Sequence, residues 1–138
     1  MKIFIICTVR NATKEYLEKL YKYVEKLEAE GHEVYLPPRD TNQDDSETGG
    51  YRICNDNKNG IIWADRVDVS YNEKSTGTHF DLGMAFMLGK EIHVFDCTPI
   101  DESLLKSFPK MIRHWEKVGY DTSWHGYVEC PKCGAALE

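Results

Sequence analysis

Long apolar runs, an excess of basic residues and an even set of cysteines are all missing from this 138-residue chain. No apolar stretch approaches the ~18 residues that suggest a membrane span. The opening run Ile3-Phe4-Ile5-Ile6-Cys7 is short for a secretory leader, and no small-residue cleavage site follows it. A cytoplasmic location and no membrane partner are therefore expected. Lys and Arg number 17 against 23 Asp and Glu, a net charge of −6 with no basic stripe. That balance argues against a general nucleic-acid binder. It leaves room for a small phosphate ligand, which needs only one or two local cations or a helix N-terminus. The five cysteines are odd in number, so a disulfide framework is not expected. Internal repeats and low-complexity tracts are also absent.

What remains is an ordinary domain composition, 41% hydrophobic and 29% charged. Strand-like and helix-like patterns alternate. Residues 2–7 form a continuous apolar run, as in a strand buried on both faces, with Cys7 as a small hydrophobe. Residues 12–30 place Leu17, Leu20, Val24 and Leu27 at helical spacing, with Asn11 as N-cap and Gly31 as stop. His32 to Leu36 reads as a second strand, ended by Pro37 and Pro38. Residues 39–50 are polar and without period, the pattern of a long functional loop. Residues 51–63 read as a helix with Ile53, Ile61 and Ile62 buried. Arg66 to Ser70 reads as a third strand, about Thr78 to Leu88 as a helix, and Ile92 to Phe95 as a fourth strand. Residues 101–118 form a last helix in which Pro109 marks a kink. The expected organisation is one α/β domain over residues 1–118, a flavodoxin-like or Rossmann-like parallel sheet with helices on both faces, and an irregular tail over 119–138. Such sheets bind ligands at the carboxyl ends of their strands. This selects residues 7–12, 36–50 and 71–81.

In the last of these, Ser75-Thr76-Gly77-Thr78-His79-Phe80-Asp81-Leu82-Gly83 leads a hydroxyl- and glycine-bearing turn straight into a helix. Free backbone N–H groups and hydroxyls there make an anion site. Asp81 falls in the expected first turn, where the helix dipole favours its ionised form, suited to a nucleophile or charge stabiliser. The plainer account is an acid that merely complements the helix N-terminus. Gly83 would let the helix approach its neighbours closely. His79 and Asp81, two apart, face different sides of the helix.

Residues 61–95, with Ala64-Asp65, the strand, the Ser/Gly turn, the acid before Leu82-Gly83 and the Gly89-Lys90 stop, resemble the nucleoside 2-deoxyribosyltransferase superfamily. The opening Ile5-Ile6-Cys7-Thr8-Val9-Arg10-Asn11-Ala12 resembles its 2′-deoxynucleoside 5′-phosphate N-hydrolase branch. The similarity covers about residues 1–96. It implies cleavage of the N-glycosidic bond of a nucleoside 5′-monophosphate or nucleoside, or (deoxy)ribosyl transfer, with Asp81 as the carboxylate at C1′. The implied substrate-binding residues are Thr8, Val9, Arg10 and Asn11, with Ser75 and Gly77. The hydroxyl of Thr8, Arg10 and Ser75 would hold the 5′-phosphate. A homo-oligomer is implied, and no catalytic cofactor.

Two positions depart from the family pattern. Asp81 stands where Glu is usual, which withdraws the carboxylate by about an ångström or more, a displacement that can cost roughly 10²-fold in rate. The family's second acid, 24 positions earlier, maps to Asn57, an amide that cannot supply a titratable proton. The adjacent Asp56 is the substitute acid if the helix register differs. A nucleotide-binding or sensing protein without turnover is the alternative these departures leave open. Arg39 and Arg52 flank the long loop and could reach a phosphate or base, solvated loop charges being the plainer account. Asp65 reads as structural, such as a cap before the third strand, and Tyr51 and Trp63 as core or interface aromatics rather than base-stacking platforms. At the tail, Cys130-Pro131-Lys132-Cys133-Gly134 is half of a zinc-ribbon site, to be completed for a structural zinc by His125, Cys54 or a second copy, or else a reduced pair without metal.

Overall fold

A computed structural model describes residues 1–97, 103, 105–119, 128–129, 131–133 and 136–137. Strand β1 (Lys2–Ile6) is followed by α1 (Lys14–Ala29), β2 (Glu33–Tyr35), the one-turn α2 (Pro37–Asp40), α3 (Tyr51–Trp63), β3 (Arg66–Tyr71), α4 (Thr76–Met87), β4 (Glu91–Cys97) and α5 (Phe108–Val118). The four strands pair in parallel in the order β2-β1-β3-β4. The chain thus moves to one side of β1 with β2 and to the other with β3. A crevice opens where the order reverses, beyond the carboxyl ends of β1 and β3.

Alternation along β1 sorts the core onto two faces. Ile3, Ile5 and Cys7 pack against Leu20, Val24 and Leu27 of α1. Phe4 and Ile6 join Ile61 of α3, Leu82 and Ala85 of α4, and Ile112 and Trp115 of α5. The expected parallel sheet with helices on both faces is therefore the one observed. Polar residues of β3 are paired beneath α1. Asp68, fully buried, takes the Tyr23 hydroxyl at 2.5 Å and the Arg66 guanidinium at 2.6 Å.

Local chemistry revises several boundaries. Thr13, not Asn11, caps α1, accepting the Tyr16 N–H at 3.1 Å. Asn11 sits at φ 60° in a turn closed by the Ala12 N–H on the Val9 carbonyl. Asn tolerates that left-handed conformation better than most residues. Pro109 lies in the first turn of α5, behind the Ser107 cap, so it starts the helix rather than kinking it. Of the expected helix before it, Ser103, Leu105 and Lys106 are turn or bend. Ile62 is exposed, while Ile61 is fully buried. Close approach belongs to Gly60, not Gly83. A Cβ on Gly60 would stand 2.7 Å from the Phe4 ring, whereas one on Gly83 would meet nothing within 4 Å. The tail is not wholly irregular, since β5 (Val128–Glu129) pairs antiparallel with β6 (Ala136–Leu137).

Candidate active site

The crevice is a cavity of about 950 Å³. Three segments build its wall: residues 7–11 after β1, residues 72–77 leading into α4, and the facing sides of α3 and α4. Every substrate-binding candidate named from sequence (Thr8, Val9, Arg10, Asn11, Ser75 and Gly77) lines it, together with Asn57 and Asp81.

The loop before α4 is held by its own side chains. The Asn72 carboxamide oxygen accepts the Lys74 N–H at 2.9 Å, and the Ser75 hydroxyl accepts the Thr78 N–H at 3.2 Å. Ser75 is thus the N-cap, and its hydroxyl hydrogen stays available to a ligand. The opposite loop is pinned from α1. The Thr8 N–H donates to the Tyr16 oxygen at 3.1 Å, the Tyr16 hydroxyl to Ser70 at 2.8 Å, and the Ser70 hydroxyl to Asp96 at 3.1 Å.

Asp81 is only 7% exposed. Because α4 begins at Thr76, Asp81 lies in the second turn and not in the first. The dipole-favoured anion expected from sequence is not found. Burial pushes the carboxyl up to about 7, and a hydrogen bond from Asn57 opposes this only in part. That bond, Asn57 Nδ2 to Asp81 Oδ2, is long at 3.4 Å. The Thr41 hydroxyl donates to Asn57 Oδ1, also at 3.4 Å, and pairs with the Tyr35 hydroxyl at 2.6 Å. With the Thr41 proton committed to Asn57, Tyr35 is the donor. All three donors therefore run toward the carboxylate. The cavity thiols are poor nucleophiles beside it. Burial, then the Asp81 charge, pushes Cys7 up to about 12, and the same causes raise Cys54.

Asp56 does not join this group. It takes the Arg52 guanidinium at 2.6 Å and lines a separate groove with Tyr35 and Trp63. Arg52 also donates to the Asn42 and Asp44 carbonyls, and Arg39 pairs with Glu28 and Asp40. Both arginines fasten the loop instead of facing the cavity. Asp45 fastens it further, capping α3 across the loop by accepting the Arg52 and Ile53 N–H groups. Of residues 39–50, only Gln43 and Gly50 line the cavity. Asp65 has the structural role expected of it, accepting the Lys2 N–H at 2.8 Å. His79 is turned to Tyr71 at 2.9 Å and to the Ser75 carbonyl at 2.7 Å, apart from Asp81. Tyr51 is 75% exposed, not core. Phe80, Lys74, Asn72, Ile53 and Cys54 line the cavity without having been singled out for it. Asn72, Lys74 and Phe80 fall within the strand-end segment 71–81 selected from sequence, whereas Ile53 and Cys54 on α3 carried no such signal.

Cys130 and His125 lie outside the described residues, and Cys133 is exposed. Among the described residues no cluster of three His, Cys, Asp or Glu is placed to hold a metal, and no helix is long and apolar enough to cross a membrane.

A parallel α/β fold whose crevice carries one buried carboxylate and a hydroxyl-, amide- and cation-bearing rim defines the class of molecule. No family model and no curated protein matches the sequence. Solved structures do match the fold. A 2-deoxyribosyltransferase from Bacillus psychrosaccharolyticus aligns with a TM-score of 0.63 at 24% identity, over 88% of this chain and 93% of that one. A CMP N-glycosidase from Clostridium botulinum aligns with a TM-score of 0.56 at 21% identity, over 86% and 83%. A 2-deoxyribosyltransferase from Leishmania mexicana aligns with a TM-score of 0.53 at 24% identity, over 70% and 65%. The fold that the sequence resemblance implied is the fold these structures share with this chain.

Proposed function

We propose that the chain is an enzyme that cleaves the N-glycosidic bond of a nucleoside 5′-monophosphate, with Asp81 as the carboxylate that meets C1′. The observation that carries this reading is the placement of Asp81 in the one cavity that also holds Thr8, Arg10, Ser75 and Gly77. Arg10 and Lys74 supply positive charge, and the Ser75 hydroxyl and the free N–H groups opening α4 supply donors, a set that suits a phosphate. The fold neighbours are named as a 2-deoxyribosyltransferase and a CMP N-glycosidase, activities in keeping with this reading. Transfer of the sugar to a second base is the close variant, since either water or a base can capture C1′.

The test is base release from each common ribo- and deoxynucleoside 5′-monophosphate and nucleoside, with and without an acceptor base, separated by chromatography. Release that drops by at least about 10²-fold in Asp81→Asn supports the reading. Tight binding without release would favour a nucleotide sensor, the alternative that Asn57 motivates. Two further expectations stand as proposals. A homo-oligomer is to be checked by light scattering, and a structural zinc at Cys130 and Cys133 by metal analysis of the purified chain.

A further inference from the structure

Breaking an N-glycosidic bond leaves the base with the electron pair of that bond. A neutral base such as cytosine or guanine then needs a proton as it departs, usually from a second acidic group. Among the described residues the cavity holds a single carboxylate, Asp81. Asn57 faces it, with its Nδ2 donating to Asp81 and its Oδ1 accepting from the Thr41 hydroxyl. These donors stabilise the Asp81 anion, and none is an acid for a leaving base. Asp56 is sequestered by Arg52. The two cavity thiols are held protonated and are too weak as acids to serve.

The same wall suits a cation. Burial and the Asn57 amide are the influences on Asp81, with no Lys or Arg compensating its charge among the described residues. A cation at C1′ would supply that compensation. Phe80, next to Asp81 on α4, is 56% exposed and lines the cavity. An aromatic face of this kind attracts a flat cation.

We propose that the substrate is a nucleoside 5′-monophosphate whose base carries a fixed positive charge, a pyridinium or a ring-alkylated purine. This rests on the N-glycosidase reading above. The Asp81 carboxylate forms a bond to C1′ while the C1′–N bond breaks. The electron pair of that bond passes to the ring and cancels its charge, so the base leaves neutral and takes no proton. Water then attacks C1′, the ester bond breaks with its pair returning to Asp81, and the proton of the water goes to solvent. Each turnover consumes one water and releases one proton, where hydrolysis of a neutral base releases none.

Matched pairs test this: 7-methylguanosine 5′-monophosphate against GMP, and nicotinamide mononucleotide against CMP. Base release is measured on the full chain at equal pH, less the rate of Asp81→Asn, whose folding is verified by circular dichroism. A general acid lessens the charge that develops on the departing base, so an enzyme that lacks one depends more steeply on the leaving group. The expected result is a kcat/KM for the cationic member at least about 10²-fold above its partner in at least one pair, the size of the missing acid catalysis. A smaller ratio in both pairs, or cleavage of neutral nucleotides alone, overturns the proposal and leaves the N-glycosidase reading standing. Failure to cleave any nucleotide overturns both.

Discussion

Asp81 is an acid whose ionisation is opposed by its surroundings and assisted by one neighbour. Burial raises it to about 7 and the Asn57 hydrogen bond lowers it. If the anion is the reactive form, base release at limiting substrate rises with pH through about 7 and then levels. Asn57→Ala removes the lowering influence and leaves burial in place, so the midpoint moves to higher pH. A pH–rate profile of both proteins checks this, and an unmoved midpoint would mean that the 3.4 Å contact is without effect. Asp81 was legible in the sequence because an acid following a Ser/Gly turn at a strand end is a local pattern. Its protonation was not. That depends on burial, which the packing of α3, α4 and the segment after β1 creates jointly, and no window of residues reports it.

Among the elements, the two central helices use glycine in opposite ways. Gly60 of α3 lies against Phe4, whose ring is fully buried and stacked on Tyr35 with centroids 5.4 Å apart. Gly60→Ala gains helix propensity but forces that ring to move, so a net loss of about 1–2 kcal/mol is expected in urea unfolding. Gly83 of α4 is exposed with open space beside it, and Gly83→Ala should gain about 0.5–1 kcal/mol. A loss there instead would mean that a second copy packs on this face, beside the exposed Phe80 and Met87. Between α1 and the loop after β1, Tyr16→Phe removes the acceptor of the Thr8 N–H. The expected effect is a several-fold higher KM for a nucleoside 5′-monophosphate, worth about 1 kcal/mol, with little change for the unphosphorylated nucleoside. Equal loss on both would argue for general loosening. The bounds of α3 and the four strands could be read from period and turn residues. The start of α4 at Thr76 could not, because the cap is Ser75, three residues before the expected start. The role of Asp45 was equally hidden, since it caps a helix from across a loop.

The cost of burying Asp81 belongs to the whole molecule, since unfolding relieves it. Holding this carboxyl at about 7 instead of 3.8 makes its anion costlier in the folded state by roughly 4 kcal/mol. The sign follows from proton binding. Below pH 3.8 both states are protonated and nothing is lost. Between 3.8 and about 7 the unfolded chain ionises while the fold holds its proton, so stability falls as pH rises. Above about 7 the full cost is present. Asp81→Asn keeps the shape and removes the charge. Its advantage over the native chain in urea unfolding should therefore grow from under about 2 kcal/mol at pH 5 to about 4 kcal/mol at pH 8. The same logic reaches the ligand. A bound cation beside Asp81 relieves the cost only where the anion exists, so its stabilisation of the fold, read as a rise in Tm, should be larger at pH 8 than at pH 5. An advantage that stays constant with pH would place Asp81 in solvent and remove the physical basis for a reactive, uncompensated carboxylate in this cavity.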